Sequence, residues 1–219
     1  MVRKKVGLLL SGCGVQDGAE IHESVLTLLA LDRADVEVIC LAPNIEQSKV
    51  TNHASGQDVS ERRNVLVESA RIARGEIQDL GEMKARDLDG IALPGGYGAA
   101  LNLSTFGKDG PKCQVNPDVE RILKEMHAAK KPILALCIAP ATVARVLGAH
   151  HVRVTIGNAA DTAAAIEKTG AKHQDCALDN CVVDNDHKIV TTPAYMLATR
   201  ISDVAAGIDA AVHAFVRLL

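Results

Sequence analysis

The chain has 219 residues and a mass of 23.1 kDa, with 24 Lys and Arg against 27 Asp and Glu, for a net charge of −3. That balance gives no electrostatic footprint for a nucleic-acid backbone, and four scattered aromatics (Tyr97, Phe106, Tyr195, Phe215) make no base-stacking platform. No apolar run approaches the roughly 18 residues that span a bilayer, so neither a nucleic acid nor a membrane is expected as partner.

The length suits one domain, residues 1–219, burying roughly 70% of its surface. Its core must be built from Ala, Val, Leu and Ile. Six cysteines (Cys13, Cys40, Cys113, Cys137, Cys176, Cys181) show no dense spacing, and a chain of this size needs no disulfide staples. Reduced thiols in a cytoplasm are expected. Leu10-Ser11-Gly12-Cys13 has the look of a lipoprotein processing site. The apolar stretch before it, Val6 to Leu10, is too short for a secretory segment and suits a first buried strand.

Strands are predicted at Val6–Ser11, Val36–Leu41, Gly90–Leu93, Pro132–Leu136, Val152–Ile156 and Ile189–Thr192. Several are apolar on both faces, as in a parallel sheet covered by helices on both sides. Helices are predicted at Ala19–Arg33, Glu61–Arg74, Asp118–Ala129, Ala139–Val146, Thr162–Lys168 and Tyr195–Leu218. In the first, Ile21, Val25, Leu28 and Leu29 form one apolar stripe. Pro117 at a helix start and Gly148 after a helix end follow the usual asymmetry. The alternation predicts an α/β fold with a doubly wound, mainly parallel sheet. Asn44–Ser60, the one long polar connection, is expected to form a surface flap.

Ligands of such folds bind at the carboxyl ends of strands, where three sites stand out. Gly12-Cys13-Gly14-Val15-Gln16-Asp17-Gly18 follows the first strand. Its third glycine is one position late for a dinucleotide fingerprint, and the second strand does not end in a ribose-binding acid. Leu93-Pro94-Gly95-Gly96-Tyr97-Gly98 can present backbone N–H groups to a ligand or simply turn the chain. In Ile133-Leu134-Ala135-Leu136-Cys137-Ile138-Ala139-Pro140 a buried strand ends at a cysteine and a helix begins. A structural cysteine is the plain reading of an arbitrary strand residue. The strand–cysteine–helix order instead has the logic of a nucleophile elbow, where the helix N-terminus would lower the thiol's pKa.

A thiolate needs an acid–base partner. Glu20, His22 and Glu23 lie in the first turn of the first helix, at the same edge of the sheet. A glutamate there either complements the helix dipole or, facing the elbow, carries a raised pKa. His150, His151, His173 and His187 have no evident site context. Cys176, Cys181 and His173 lack a second ligand pair, so no metal is expected.

Ser11-Gly12-Cys13-Gly14, Asp17-Gly18, Glu20-Ile21-His22-Glu23, Asn64-Val65-Leu66, Glu68–Gly75, Pro94-Gly95-Gly96, Asn102-Leu103-Ser104, Cys137-Ile138-Ala139-Pro140 and Val190-Thr191-Thr192-Pro193 recur in order. With them the chain resembles the ElbB-type branch of the PfpI/ThiJ superfamily, also described as class I glutamine amidotransferase-like, over nearly its whole length. The resemblance implies a flavodoxin-like sheet, Cys137 as nucleophile, and Glu23 rather than Glu20 as its hydrogen-bonded partner. It also implies that Gly96 and Ile138 supply the N–H groups of an oxyanion hole. The activity implied is cofactor-free, glutathione-independent conversion of glyoxal to glycolate, or protein deglycase activity that such conversion reports in part. Many relatives carry a histidine just after the strand that follows the elbow helix, whereas here Val154-Thr155-Ile156 runs into Gly157. Cys137 and Glu23 would therefore work alone and slowly, and glutamine hydrolysis is not expected. The alternatives are a non-catalytic redox sensor and a glutaminase subunit awaiting a partner.

The resemblance further implies a homodimer. The last helix gives an independent reason, because Val204, Ile208, Val212 and Phe215, widened by flanking alanines, form more apolar surface than one face against a sheet requires.

Overall fold

A computed structural model describes residues 3–219 of the chain. Its strands are β1 (Lys5–Leu9), β2 (Glu37–Ala42), β3 (Thr51–Asn52), β4 (Gln57–Asp58), β5 (Ile77–Asp79), β6 (Gly90–Leu93), β7 (Ile133–Leu136), β8 (Arg153–Val154), β9 (Lys172–His173), β10 (Val182–Asp184) and β11 (Ile189–Thr192). Its α-helices are α1 (Ile21–Arg33), α2 (Val65–Ile72), α3 (Tyr97–Leu101), α4 (Phe106–Asp109), α5 (Pro117–Ala128), α6 (Ala139–Leu147), α7 (Ala160–Glu167) and α8 (Ile201–Val216).

The central sheet has the order β10-β11-β7-β6-β1-β2-β5, with β10 antiparallel to β11 and every other pairing parallel. This is the flavodoxin-like, doubly wound arrangement expected. Alternate strand residues feed two cores. Leu9, Ile91, Leu93 and Ile133 pack on the face covered by α5 and α6, while Val6, Leu8, Leu134 and Val190 pack on the face covered by α1 and α8. Burial on both faces is why these strands read as continuous apolar runs.

Four expectations are corrected. Val152–Ile156 contributes only the two-residue β8, which pairs with β9 outside the central sheet. The N–H of Thr155 donates to Thr191 Oγ1 at 2.9 Å rather than to a strand carbonyl, and Gly157 at φ +98° turns the chain away. The strands β5 and β10 were not predicted; three residues are too few to show a period. The last helix begins at Ile201, because Ala194–Met196 is a separate 3₁₀ turn.

The fourth correction is the largest. Three of the four stripe residues of α1 face outward, Ile21, Val25 and Leu29 being 43%, 48% and 41% exposed, while Leu28 packs against the core. The face toward the sheet and α8 carries Glu23, Ser24, Thr27, Ala30 and Leu31. Two of its hydroxyls satisfy themselves on the helix, Ser24 Oγ donating to Glu20 O at 2.6 Å and Thr27 Oγ1 to Glu23 O at 2.7 Å. On α8 the stripe is inside, with Val204, Ile208, Ala211, Val212 and Phe215 all buried. Of the alanines that widen the stripe, Ala211 is buried, Ala205 and Ala210 are half-buried and Ala206 is exposed.

Candidate active site

Three connections meet at the carboxyl edge of the sheet. The loop after β1 crosses the turn after β6, with the N–H of Glu20 donating to Gly95 O at 3.0 Å and that of Gly98 to Gly18 O at 2.8 Å. Asn102 clamps the loop by donating to Ser11 O and Asp17 O, both at 2.9 Å. Its Oδ1 accepts the N–H of Ser48 at 3.0 Å, which holds the start of the predicted flap. The flap itself folds as the β3–β4 hairpin, fixed by the N–H of Thr51 on Asp17 Oδ2 at 2.7 Å.

Cys137 follows β7 directly and has φ +58°, the left-handed region that a side chain seldom adopts. Its N–H donates to Thr192 O at 3.0 Å, which anchors the bend to the end of β11. Such a conformation costs on the order of 1–3 kcal/mol and persists only when its surroundings impose it. The helix α6 starts two residues later with no side-chain cap and Pro140 in its first turn, so its N-terminus is left open toward the sulfur.

Glu23 reaches the elbow from the inner face of α1 and is completely buried. Its Oε2 accepts the N–H of Gly95 at 2.8 Å and its Oε1 that of Tyr195 at 3.2 Å. Gly95 brings the two groups together: a Cβ there would lie 2.7 Å from Glu23 Oε2 and 2.9 Å from Cys137 Sγ. No other residue fits. Gly96, at φ +88°, leaves no room for a Cβ against Glu20 N and Gly18 O. The Gly96 and Ile138 N–H groups and the Glu23 carboxyl are the groups that act on the titration of the Cys137 thiol.

Burial raises the Glu23 pKa to about 7, against the pull of the Gly95 and Tyr195 N–H groups. Burial also pushes the Cys137 thiol up, and the charge of Glu23 pushes it further; the Gly96 and Ile138 N–H groups act in the opposite direction. The lowered pKa expected from the helix N-terminus is therefore corrected. Burial and the adjacent Glu23 carboxylate act on the thiol in the direction opposite to the N–H groups at the start of α6.

The other candidates fall elsewhere. Glu20 is the N-cap of α1, its Oε2 accepting the Glu23 N–H at 2.7 Å. His22 Nδ1 lies 2.7 Å from the Tyr195 hydroxyl, at the rim. His173 is a structural residue whose Nε2 accepts the N–H of Ile156 at 3.2 Å. His150 and His187 belong to a cluster at the far end of the sheet. Among the described residues no three His, Cys, Asp or Glu side chains are grouped to hold a metal. Tyr195 was missed by sequence reasoning, because a backbone donor carries no residue signature.

A cysteine on a strained strand-to-helix bend, with a buried glutamate packed against the same glycine as its sulfur, places the molecule among the cysteine-elbow α/β proteins. The chain belongs to the DJ-1/PfpI family, whose model matches residues 13–198. It is 46% identical to the ES1 protein homolog, mitochondrial, of Rattus norvegicus, over 99% of this chain and 84% of that protein. It is 47% identical to the Homo sapiens glutamine amidotransferase-like class 1 domain-containing protein 3, mitochondrial, over 98% of this chain and 83% of that one. Among solved structures, an isoprenoid biosynthesis protein with amidotransferase-like domain from Ehrlichia chaffeensis superposes with a TM-score of 0.93 at 39% identity, covering 98% of this chain and 99% of that one. The expected cytoplasmic placement is corrected by these relatives, since those from rat, human and Danio rerio are all named mitochondrial. Reduced cysteines separate reducing from oxidising surroundings, not one reducing compartment from another.

Proposed function

We propose that the protein is a cofactor-free enzyme of the ElbB type that converts a small dicarbonyl, glyoxal, to glycolate. The observation that carries this reading is the Glu23–Cys137 pair, buried together against Gly95 at the carboxyl edge of the sheet. As the thiol adds to one aldehyde of glyoxal, its proton passes to Glu23, whose pKa of about 7 suits both taking and returning it. The hemithioacetal oxygen then accepts from Gly96 and Ile138 N–H. Glu23 returns the thiol's proton to that oxygen and, as a carboxylate again, carries the hydrogen of the same carbon, as a proton, to the second carbon through an enediol. This leaves a hydroxyacetyl thioester on Cys137, and water hydrolyses it to glycolate and the free thiol. Glyoxal plus water equals glycolic acid, so no oxidant is needed.

A redox-sensing role requires an accessible thiol, whereas Cys137 is 8% exposed. No observation favours that alternative. The test is glycolate release from glyoxal without glutathione, with glutamine as a parallel substrate. Cys137→Ser and Glu23→Gln should each lose at least ~100-fold, with no ammonia from glutamine. Equal rates in wild type and both variants would overturn the reading. The assembly we propose is a symmetric homodimer, supported by the exposed stripe residues of α1.

A further inference from the structure

At the amino ends of β7 and β11, opposite Cys137, lies a cavity of about 720 Å³. Six basic side chains line it: Lys124, His127, Lys130, His150, His187 and Lys188. They come from three separate places, namely the end of α5, the 3₁₀ turn Gly148–His150, and the hairpin between β10 and β11. The imidazoles are in direct contact. His127 Nε2 is 2.9 Å from His187 Nδ1, so one ring must donate to the other. The His127 ring centroid is 4.6 Å from that of His150 and 5.2 Å from that of His187.

The charges around the cluster can be accounted for. Lys124 is paired with Glu120 at 2.6 Å. Lys188 Nζ donates to the carbonyl of Leu218 at 2.9 Å, which leaves its charge uncancelled. Asp186 lines the cavity, and Asp184, below it, accepts the N–H groups of Arg153 and His187 at 2.7 and 3.2 Å. A smaller cavity of about 300 Å³ shares His150, His187 and Asp186 and adds His151, Arg153, Lys172 and Asp184. Burial and the two neighbouring rings lower the His127 pKa, while Asp184 raises it. With neutral imidazoles the lining carries a modest positive charge, and each proton gained adds to it. Three ammonium groups disfavour a free metal ion, and a cluster of basic donors around a void fits an anion.

We propose that this cavity binds a phosphate-bearing anion and takes up a proton on the imidazole cluster as it does so. The anion supplies the negative charge that favours one protonated ring in the His127–His187 pair, the other ring keeping its acceptor nitrogen for the hydrogen bond between them. The carbonyl end of α5 also favours a protonated His127. A volume of this size matches a small organic ligand better than a lone phosphate, since ligand sites span roughly 300–1,000 Å³.

The test is calorimetric titration of the full chain at about pH 6 and about pH 8, where unperturbed histidine changes charge. The probes are sulfate, which keeps its charge across that range, inorganic phosphate, and glucose 6-phosphate. Each titration is repeated in buffers of different ionisation enthalpy to count protons. Sulfate should bind at least ~10-fold more tightly at the lower pH, with net proton uptake. His127→Asn and His187→Asn should remove that pH dependence, and Lys130→Ala should weaken binding at both pH values, with melting curves showing the variants folded. Glucose 6-phosphate binding more tightly than phosphate would assign an organic ligand; equal affinities would assign free phosphate. Sulfate binding that is independent of pH, or unchanged in all three variants, would overturn the proposal. So would an absence of binding at the lower pH, or binding of Zn2+ in its place.

Discussion

The helices α1 and α8 lie side by side on one face of the sheet and carry similar apolar stripes, yet they are turned in opposite senses. On α8 the stripe is inside: Val204, Ile208 and Phe215 are fully buried. On α1 most of it is outside, and a glutamate, a serine and a threonine occupy the buried face. The difference lies in what each helix delivers. Only α8 is a purely structural cover, so hydrophobic burial sets its rotation. The rotation of α1 is set by Glu23, whose carboxyl has to reach the N–H groups of Gly95 and Tyr195 and the Cys137 sulfur. Periodicity reports where apolar residues are, and it reports the inside only when nothing polar is required there.

The comparison breaks most sharply on the α8 side. Phe215→Ala removes a fully buried ring against which Gly90 packs, and should cost about 3–5 kcal/mol in denaturant unfolding. A loss below about 1 kcal/mol would mean that α8 is not the structural cover described. The corresponding truncation on the outer face of α1, Leu29→Ala, should stay within about 0.5 kcal/mol for the monomer.

The next effect belongs to the polar face of α1 and depends on pH. Glu23 has its pKa raised from 4.5 to about 7 in the folded chain, so folding favours its protonated form. Its stabilising contribution is complete below about pH 4.5 and is lost as pH rises through about 7, a change of roughly 3 kcal/mol. Wild-type stability should therefore fall between about pH 4.5 and about pH 8 by more than that of Glu23→Gln, which has no proton to lose. Parallel pH profiles for the two proteins would refute the buried-charge account. A smaller effect is expected at Thr27, where Thr27→Val removes the hydroxyl bonded to Glu23 O. It should change stability by about 1 kcal/mol or less, since donor and side-chain oxygen leave together.

The same contrast explains what could be read in advance. Gly90–Leu93 and Ile189–Thr192 were predicted residue for residue, because both are buried on two faces and flanked by turn residues. Cys137 was legible because a strand, a cysteine and a helix in that order specify a bend whatever surrounds it. The rotation of α1 was not, since it follows from a partner 114 positions away, the span from Glu23 to Cys137. Nor was the raised thiol pKa, which comes from burial by elements distant in sequence. The histidine cavity was invisible for a related reason: His127, His150 and His187 have ordinary surroundings along the chain and meet only when the sheet is assembled.

The smallest effect on the monomer should be the most informative about assembly. Ile21, Val25 and Leu29 stand on one face of α1 at intervals of four residues, each more than two-fifths exposed. Val15 and Tyr97, 41% and 59% exposed and joined by the Tyr97 N–H on Val15 O at 2.8 Å, are further exposed apolar side chains. Contiguous apolar surface of this kind marks an interaction site, and a two-fold axis would let the stripe cover itself. Val25→Asp places a charge at its centre. It should leave the urea midpoint of dilute protein within about 0.5 kcal/mol of wild type, because the side chain touches little of its own core. Light scattering at micromolar concentration should then show wild type near twice 23.1 kDa and the variant near the single-chain mass. A wild-type mass of one chain would remove the dimer and leave the outward stripe as the cost of turning Glu23 inward. A variant that remains dimeric would place the interface elsewhere on the molecule.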